Sequence, residues 1–191
     1  MAMGAESLIE YLSSFTTLSE PFIEEIKKWF KTEHYKPHQI LHAPGQTENR
    51  LWFIKQGFAR TYYFDRSGRE HTLHFYNLKD FIFSYQGLWK VSSDYYIEVL
   101  DESELLSAPY EQVMIWLEAY PEVKIISAVL TRHRYHQELF KARLMTWSAE
   151  ERYLQYRKFD PDVFRKASLR LIASYLNMTR ENLSRLMGRE T

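Results

Sequence analysis

Apolar positions change their period along the chain. Within residues 6–32, Phe22, Ile23, Ile26, Trp29 and Phe30 recur at spacings of three and four, the period of one helix face. Ser19-Glu20-Pro21 offers a helix start, with Ser19 as cap and Pro21 in the first turn. From 36 to 108 the pattern breaks into short apolar and aromatic runs: Leu51-Trp52-Phe53-Ile54, Thr61-Tyr62-Tyr63-Phe64, Thr72-Leu73-His74-Phe75 and Tyr95-Tyr96-Ile97-Glu98-Val99. Turn signals separate them at Pro44-Gly45, Gln56-Gly57, Asp65-Arg66-Ser67-Gly68 and Asn77-Leu78-Lys79-Asp80. This spacing predicts an antiparallel sandwich or barrel of about eight strands.

Helical period returns over 111–147. Pro121 opens a long helix in which Val123, Ile126, Leu130, His133, Gln137, Phe140, Leu144 and Trp147 step alternately by three and four. That is a heptad seam with polar His133 and Gln137 at its middle, where polar residues fix register at some cost in stability. A seam this narrow suits another helix better than a sheet, so these residues are expected to form a two-fold dimer interface. The alternative is a helix packed on its own domain. Residues 148–191 read as short helices. One starts at Ser148-Ala149-Glu150-Glu151, Asp160-Pro161 breaks it, and two more follow from Ser168. The expected class is α+β: an N-terminal helix and antiparallel roll over 1–110, a dimerisation helix over 111–147, and a helical C-terminal domain over 148–191.

The 191 residues are 45% apolar and 26% charged, too apolar for whole-chain disorder. No run approaches the ~18 uninterrupted apolar residues of a membrane span. Met1–Glu10 lacks a basic region followed by an apolar run, so no secretory signal is expected. Cysteine is absent, which removes disulfides, thiolate metal sites and cysteine nucleophiles. A cytoplasmic protein is the expectation. The formal charge of zero is unevenly placed. Residues 1–110 carry 11 Lys and Arg against 15 Asp and Glu, 111–150 carry 5 against 5, and 151–191 carry 9 against 5. A basic C-terminal segment suits a polyanionic partner. It could equally be a solvated face, so the order of its residues decides.

That order reads as helix-turn-helix from Ser168 to Met187. Leu169, Ile172 and Leu176 make the buried face of the first helix, and Ala173 is small where the second must cross. Asn177 sits at the turn, where a left-handed backbone is needed and Asn tolerates it. Thr179 caps the second helix with Asn182 three positions on, an incomplete capping box. Leu183, Leu186 and Met187 hold that helix down. Arg180, Glu181, Ser184 and Arg185 are left on its outer face near the N-terminus, where a major-groove helix reads base edges. Arg can bind guanine O6 and N7, Glu can accept from cytosine N4, and Ser can contact base or phosphate. Lys166 and Arg170 are the expected phosphate contacts. A plain charged helical hairpin is the competing reading.

The order of parts resembles the Crp/Fnr superfamily of bacterial transcription regulators over nearly the whole chain. The most specific stretch is Thr179-Arg180-Glu181-Asn182-Leu183-Ser184-Arg185. It is similar to the Arg-Glu-x-x-x-Arg reading of the cyclic-AMP receptor type and to the Glu-x-x-Ser-Arg reading of the anaerobic-regulator type. Looser similarities are Pro44-Gly45, Trp52-Phe53-Ile54-Lys55-Gln56-Gly57 and Asp65-Arg66-Ser67-Gly68-Arg69-Glu70. The resemblance implies a cyclic-nucleotide-binding-like roll, a homodimer, duplex DNA as partner and RNA polymerase as a further one. It implies base reading by Arg180, Glu181, Ser184 and Arg185, and no enzymatic activity, cofactor or metal. The effector stays open. No wing is expected after Thr191, which would place more of the affinity on dimerisation.

The departures from the family matter too. Its nucleotide pocket carries a Gly-Glu pair, the Glu holding ribose, and an Arg-Ser/Thr pair about ten residues on that holds the cyclic phosphate. Phe83-Ser84 and Ser93-Asp94 stand in those places here. Bulky Phe83 opposes close backbone approach, and a cyclic phosphate facing Asp94 without Arg is an uncompensated anion beside a carboxylate. Cyclic AMP and cyclic GMP are therefore not expected in the usual mode. Filling by aromatics such as Tyr85, Tyr95 and Tyr96 is favoured over a different, less anionic ligand.

Other chemistry is weakly marked. His34, His38 and His42 are four apart, but Pro37 interrupts them. His71 and His74 on one strand should face opposite sides. A cupin metal enzyme would share the roll, but its His-x-His pair is absent. No phosphate-cradling Gly loop or nucleophile motif is present. The chief rival function is a small-molecule sensor or interaction module that has lost DNA binding.

Overall fold

The period-2 runs become two four-stranded antiparallel sheets in a computed structural model that describes residues 4–189. The first sheet has the order β1-β8-β3-β6, from Lys31–Tyr35, Ser103–Pro109, Arg50–Gln56 and Phe81–Ile82. The second has the order β2-β7-β4-β5, from Ile40–His42, Tyr96–Val99, Ala59–Phe64 and Glu70–Tyr76. Alternation sends Trp52, Ile54, Ile82 and Leu105 of the first sheet inward to meet Ala59, Tyr76, Ile97 and Val99 of the second. Gly57 turns β3 into β4 with φ +116°, and a Cβ there would lie 2.9 Å from the Ser103 Cα, so only glycine fits.

The outward-facing apolar residues are covered by helices. On the first sheet, Leu51, Phe53, Leu106 and Ala108 pack under α1 (Glu6–Ser13), α2 (Glu20–Trp29), α4 (Tyr110–Ala119) and the start of α5 (Pro121–Leu144). On the second, Phe58, Phe75 and Leu100 pack under the C-terminal helices. These are α6 (Ala149–Phe159), α7 (Pro161–Lys166), α8 (Leu169–Tyr175) and α9 (Arg180–Met187), while a short α3 (Tyr85–Leu88) precedes β7. Ser148 and Glu151 complete a capping box on α6. Asp160 caps α7 by accepting from the Val163 amide at 3.3 Å. No helix among the described residues is long and apolar enough to cross a membrane.

Two expectations need correction. The seam of α5 is used inside the chain. Val123 and Ile126 are buried, and Leu130 half-buried, against the first sheet's helices. Leu144 is buried and Phe140 half-buried among the C-terminal helices. A heptad stripe states that one face is apolar, not what covers it, and here the chain's own domains do. His133 is exposed and Gln137 half-buried, 3.2 Å apart through their side-chain nitrogens. The outward ridge is a different one. Ile125, Ala128, Arg132, Tyr135 and Leu139 also alternate by three and four, with Ile125 48% and Tyr135 61% exposed. The second correction concerns His71 and His74. The register steps between Thr61↔His74 and Tyr62↔Thr72, a bulge at Leu73 that returns both histidines to one face. Among the described residues no cluster of three or more His, Cys, Asp or Glu could hold a metal ion.

Candidate functional site

The C-terminal helix pair is built locally. Asn177 takes φ 50°, and the Met178 amide donates to the Ala173 carbonyl at 3.0 Å to close α8. Thr179 Oγ1 accepts from the Asn182 amide at 3.1 Å, capping α9. Leu183 and Leu186 are buried with Ile172, Ala173, Leu176 and Met178; Leu169 and Met187 are only half-buried. This leaves Arg180, Glu181, Ser184 and Arg185 exposed on α9. Arg185 donates through Nη2 to Asn182 Oδ1 at 2.9 Å, which orients the guanidinium along the helix face. Two forked cations, a carboxylate acceptor and a hydroxyl thus share one face next to a helix N-terminus, an arrangement suited to base edges and phosphate.

Lys166 and Arg170 behave differently from the expectation of phosphate contacts. Both reach back to the roll. Lys166 Nζ lies 5.5 Å over the Phe58 ring and 3.4 Å from Asn77 Oδ1. Arg170 Nη1 pairs with Glu70 Oε1 at 2.8 Å. Glu70 also takes Arg60 at 2.8 Å, and Arg60, 3% exposed, pairs with Glu98 at 2.8 Å. Burial works to raise the Glu70 pKa, but the Arg60 and Arg170 guanidiniums outweigh it and hold it below the usual value. Ser174 on α8 accepts from the Thr72 amide at 2.8 Å and donates to the Glu70 carbonyl at 3.0 Å. A polar strut therefore fixes α8 to β5.

A second strut involves α5. Glu138 pairs with His74 at 2.8 Å and Arg134 at 3.2 Å. One turn on, Lys141 donates to the Tyr175 carbonyl at the end of α8 and sits 3.1 Å over the Tyr175 ring. Burial pulls the Lys141 pKa down to about 7. Sequence reasoning missed Arg60, Glu70, Glu98, Glu138 and Lys141, whose only sequence signal was charge inside otherwise apolar runs.

The region corresponding to a nucleotide pocket is closed by side chains. Ser84 is 2% exposed; its Oγ accepts from the Gly87 amide at 3.0 Å and from the Tyr95 hydroxyl at 2.5 Å. Its amide donates to the Tyr110 hydroxyl at 2.6 Å. Burial raises the Tyr110 pKa strongly, so that phenol stays protonated. Ser93 is buried and bonded to His42 Nε2, whose Nδ1 lies 3.6 Å from Glu48. The order is that of a hydrolytic triad, but all three are buried. Glu48 is spent on the Asn49 and Arg50 amides at 2.9 and 3.0 Å. The group ties the end of β2 to the loops that precede β3 and β7. Asp94 is exposed. Phe83 turns its ring toward Tyr110 and Tyr85, at 5.2 and 4.9 Å. Of the aromatics expected to fill the space, Tyr95 does. Tyr96 instead stacks on Tyr62 at 4.9 Å on the outer face, and Tyr85 is 44% exposed.

Residues 32–120 match the family model for the cyclic nucleotide-binding domain. No curated protein matches the sequence. Solved structures with this fold include FixK2 from Bradyrhizobium japonicum, at 16% identity and TM-score 0.73, covering 84% of this chain and 83% of that one. Another is CLP, the c-di-GMP responsive global regulator of Xanthomonas campestris, at 16% identity and TM-score 0.69, covering 90% and 91%. A third, from Eubacterium rectale and classed with transcriptional regulators of the crp/fnr family, has 21% identity and TM-score 0.68, covering 90% and 83%.

Proposed function

We propose that the chain is a regulator of the Crp/Fnr type, a homodimeric, sequence-specific DNA-binding transcription regulator rather than an enzyme, a reading supported by its cyclic nucleotide-binding domain match and by its fold. The observation that carries this reading is α9 itself. It is capped by Thr179, held by Leu183 and Leu186, and presents Arg180, Glu181, Ser184 and Arg185 together to solvent. Arg185 and Glu181 are the base readers, with Arg180 and Ser184 beside them. Two copies meet along the outward ridge of α5 through Ile125, Ala128, Arg132 and Tyr135. Cyclic nucleotides do not bind in the roll in the usual mode. Hydrogen-bonded Ser84 and Ser93 occupy the space, and Ser93-Asp94 stands where the family's Arg-Ser/Thr pair would neutralise a phosphate. Filter binding to random duplex DNA at low salt tests the reading against a module that has lost DNA binding. Retention that falls steeply with salt is expected, and no retention at any salt contradicts it.

A further inference from the structure

A cavity of about 330 Å3 lies at the edge of the roll, between the first sheet, α1, α2, α4 and α5. Phe83 and Tyr85 line it, so it borders the closed nucleotide region, while Ser84, Ser93 and Asp94 do not line it. Its walls change character along α5. Val123, Ile126 and Leu130 meet Phe22, Phe81 and Trp116 to make an apolar chamber. One turn further, His133, Arg134 and Gln137 meet Lys79 and Asp80 from the turn before β6. Such a void, apolar with a few convergent polar groups at one end, is the form of a small-molecule site.

Charge at the polar end selects the ligand. Lys79, His133, Arg134 and Gln137 all bring N–H donors, against one carboxylate. Asp80 already accepts from the Asn77 amide at 2.7 Å through Oδ2, and burial raises its pKa, which weakens its hold on a negative charge. Arg134 binds Glu138 through Nε at 3.2 Å and lies 5.6 Å over the Tyr76 ring. Its guanidinium also hydrogen-bonds the Tyr76 side chain, and its planar fork is the shape that suits a carboxylate. We infer that this cavity binds a small amphipathic carboxylic acid, its apolar body among Phe22, Phe81, Trp116 and Leu130 and its carboxylate on Arg134. The inference stands apart from DNA binding, because the cavity belongs to a single chain and needs no α9.

The test is calorimetric titration of the full chain, without DNA, with decanoate, decan-1-ol and decylamine. Saturable uptake of one decanoate per chain is expected, about tenfold or more tighter than either control, since a charge-assisted bond contributes on that scale. Arg134→Gln should weaken decanoate about tenfold and leave decan-1-ol unchanged; Arg134→Lys should keep most of the affinity. Leu130→Trp, which fills the chamber and keeps every charge, should abolish uptake while circular dichroism stays that of the parent. No saturable uptake by the parent chain, equal binding of the three probes, or an unchanged decanoate affinity in Leu130→Trp overturns the inference. Loss of DNA binding with intact decanoate uptake would count against the regulator reading alone.

Discussion

Arg185 lies one turn into α9, 2.9 Å from Asn182 Oδ1, with its remaining N–H groups free to fork onto a base. If it reads guanine, Arg185→Ala costs about 1–3 kcal/mol on the preferred site and relaxes choice at one base pair. Titration against matched and single-mismatch duplexes checks this; an equal loss on every duplex would make Arg185 a phosphate contact. Thr179 acts one step earlier, on the helix that carries Arg185. Thr179→Ala leaves the Asn182 amide without its partner and should cost about 1 kcal/mol of stability, read as a lower urea midpoint at constant slope. These residues were legible in the sequence because their chemistry is local. A cap and a left-handed turn depend on neighbours within a few positions, so Asn177 and Thr179 fall where their types predict. Arg170 was not legible. Its partner Glu70 lies a hundred residues away in sequence, and nothing near Arg170 announces it.

Helix α5 shows what an element's pattern can and cannot say. The step of three and four predicted one continuous helix from Pro121, and that helix forms. The same pattern did not say which side the seam faces, because own-domain packing and a partner helix both want apolar residues at that period. Carrying two stripes, α5 sends Val123, Ile126 and Leu144 inward and leaves Ile125 and Tyr135 outward. Substitution should separate them. Ile125→Asp with Tyr135→Asp should give a folded monomer by light scattering, whereas Ile126→Asp should unfold the chain, since it buries an unpaired carboxylate. A double variant that stays dimeric would place the interface elsewhere. Lys141 adds a pH dependence to the same helix. Its folded pKa, about 7, lies below that of the unfolded chain. Glu138 opposes the shift and Arg152 adds to it. The unfolded chain therefore binds more protons between pH ~7 and ~10, so stability rises with pH across that window. Urea unfolding of the parent and Lys141→Met at several pH values should show that slope in the parent and its loss in the variant.

At the scale of the molecule, the C-terminal helices are fixed to the roll by apolar packing of Phe58 and Phe75 and by two polar struts. One runs Glu98–Arg60–Glu70–Arg170, the other His74–Glu138 with Lys141 on Tyr175. The order of parts was legible because each part has its own period. The mutual placement was not, because the struts join charged residues on β4, β5, β7, α5 and α8 that no local pattern pairs. Arg60→Leu tests the first strut. It leaves Glu70 and Glu98 without their shared cation and should cost about 3–5 kcal/mol, the scale for breaking a buried pair, measured by urea unfolding. The central claim is that two copies of α9 read DNA together, and selection of bound sequences from random duplex DNA tests it most directly. The account predicts enrichment of a pseudo-palindrome whose half-sites are about one helical turn apart. No enriched sequence, or a single unrepeated half-site, would contradict it.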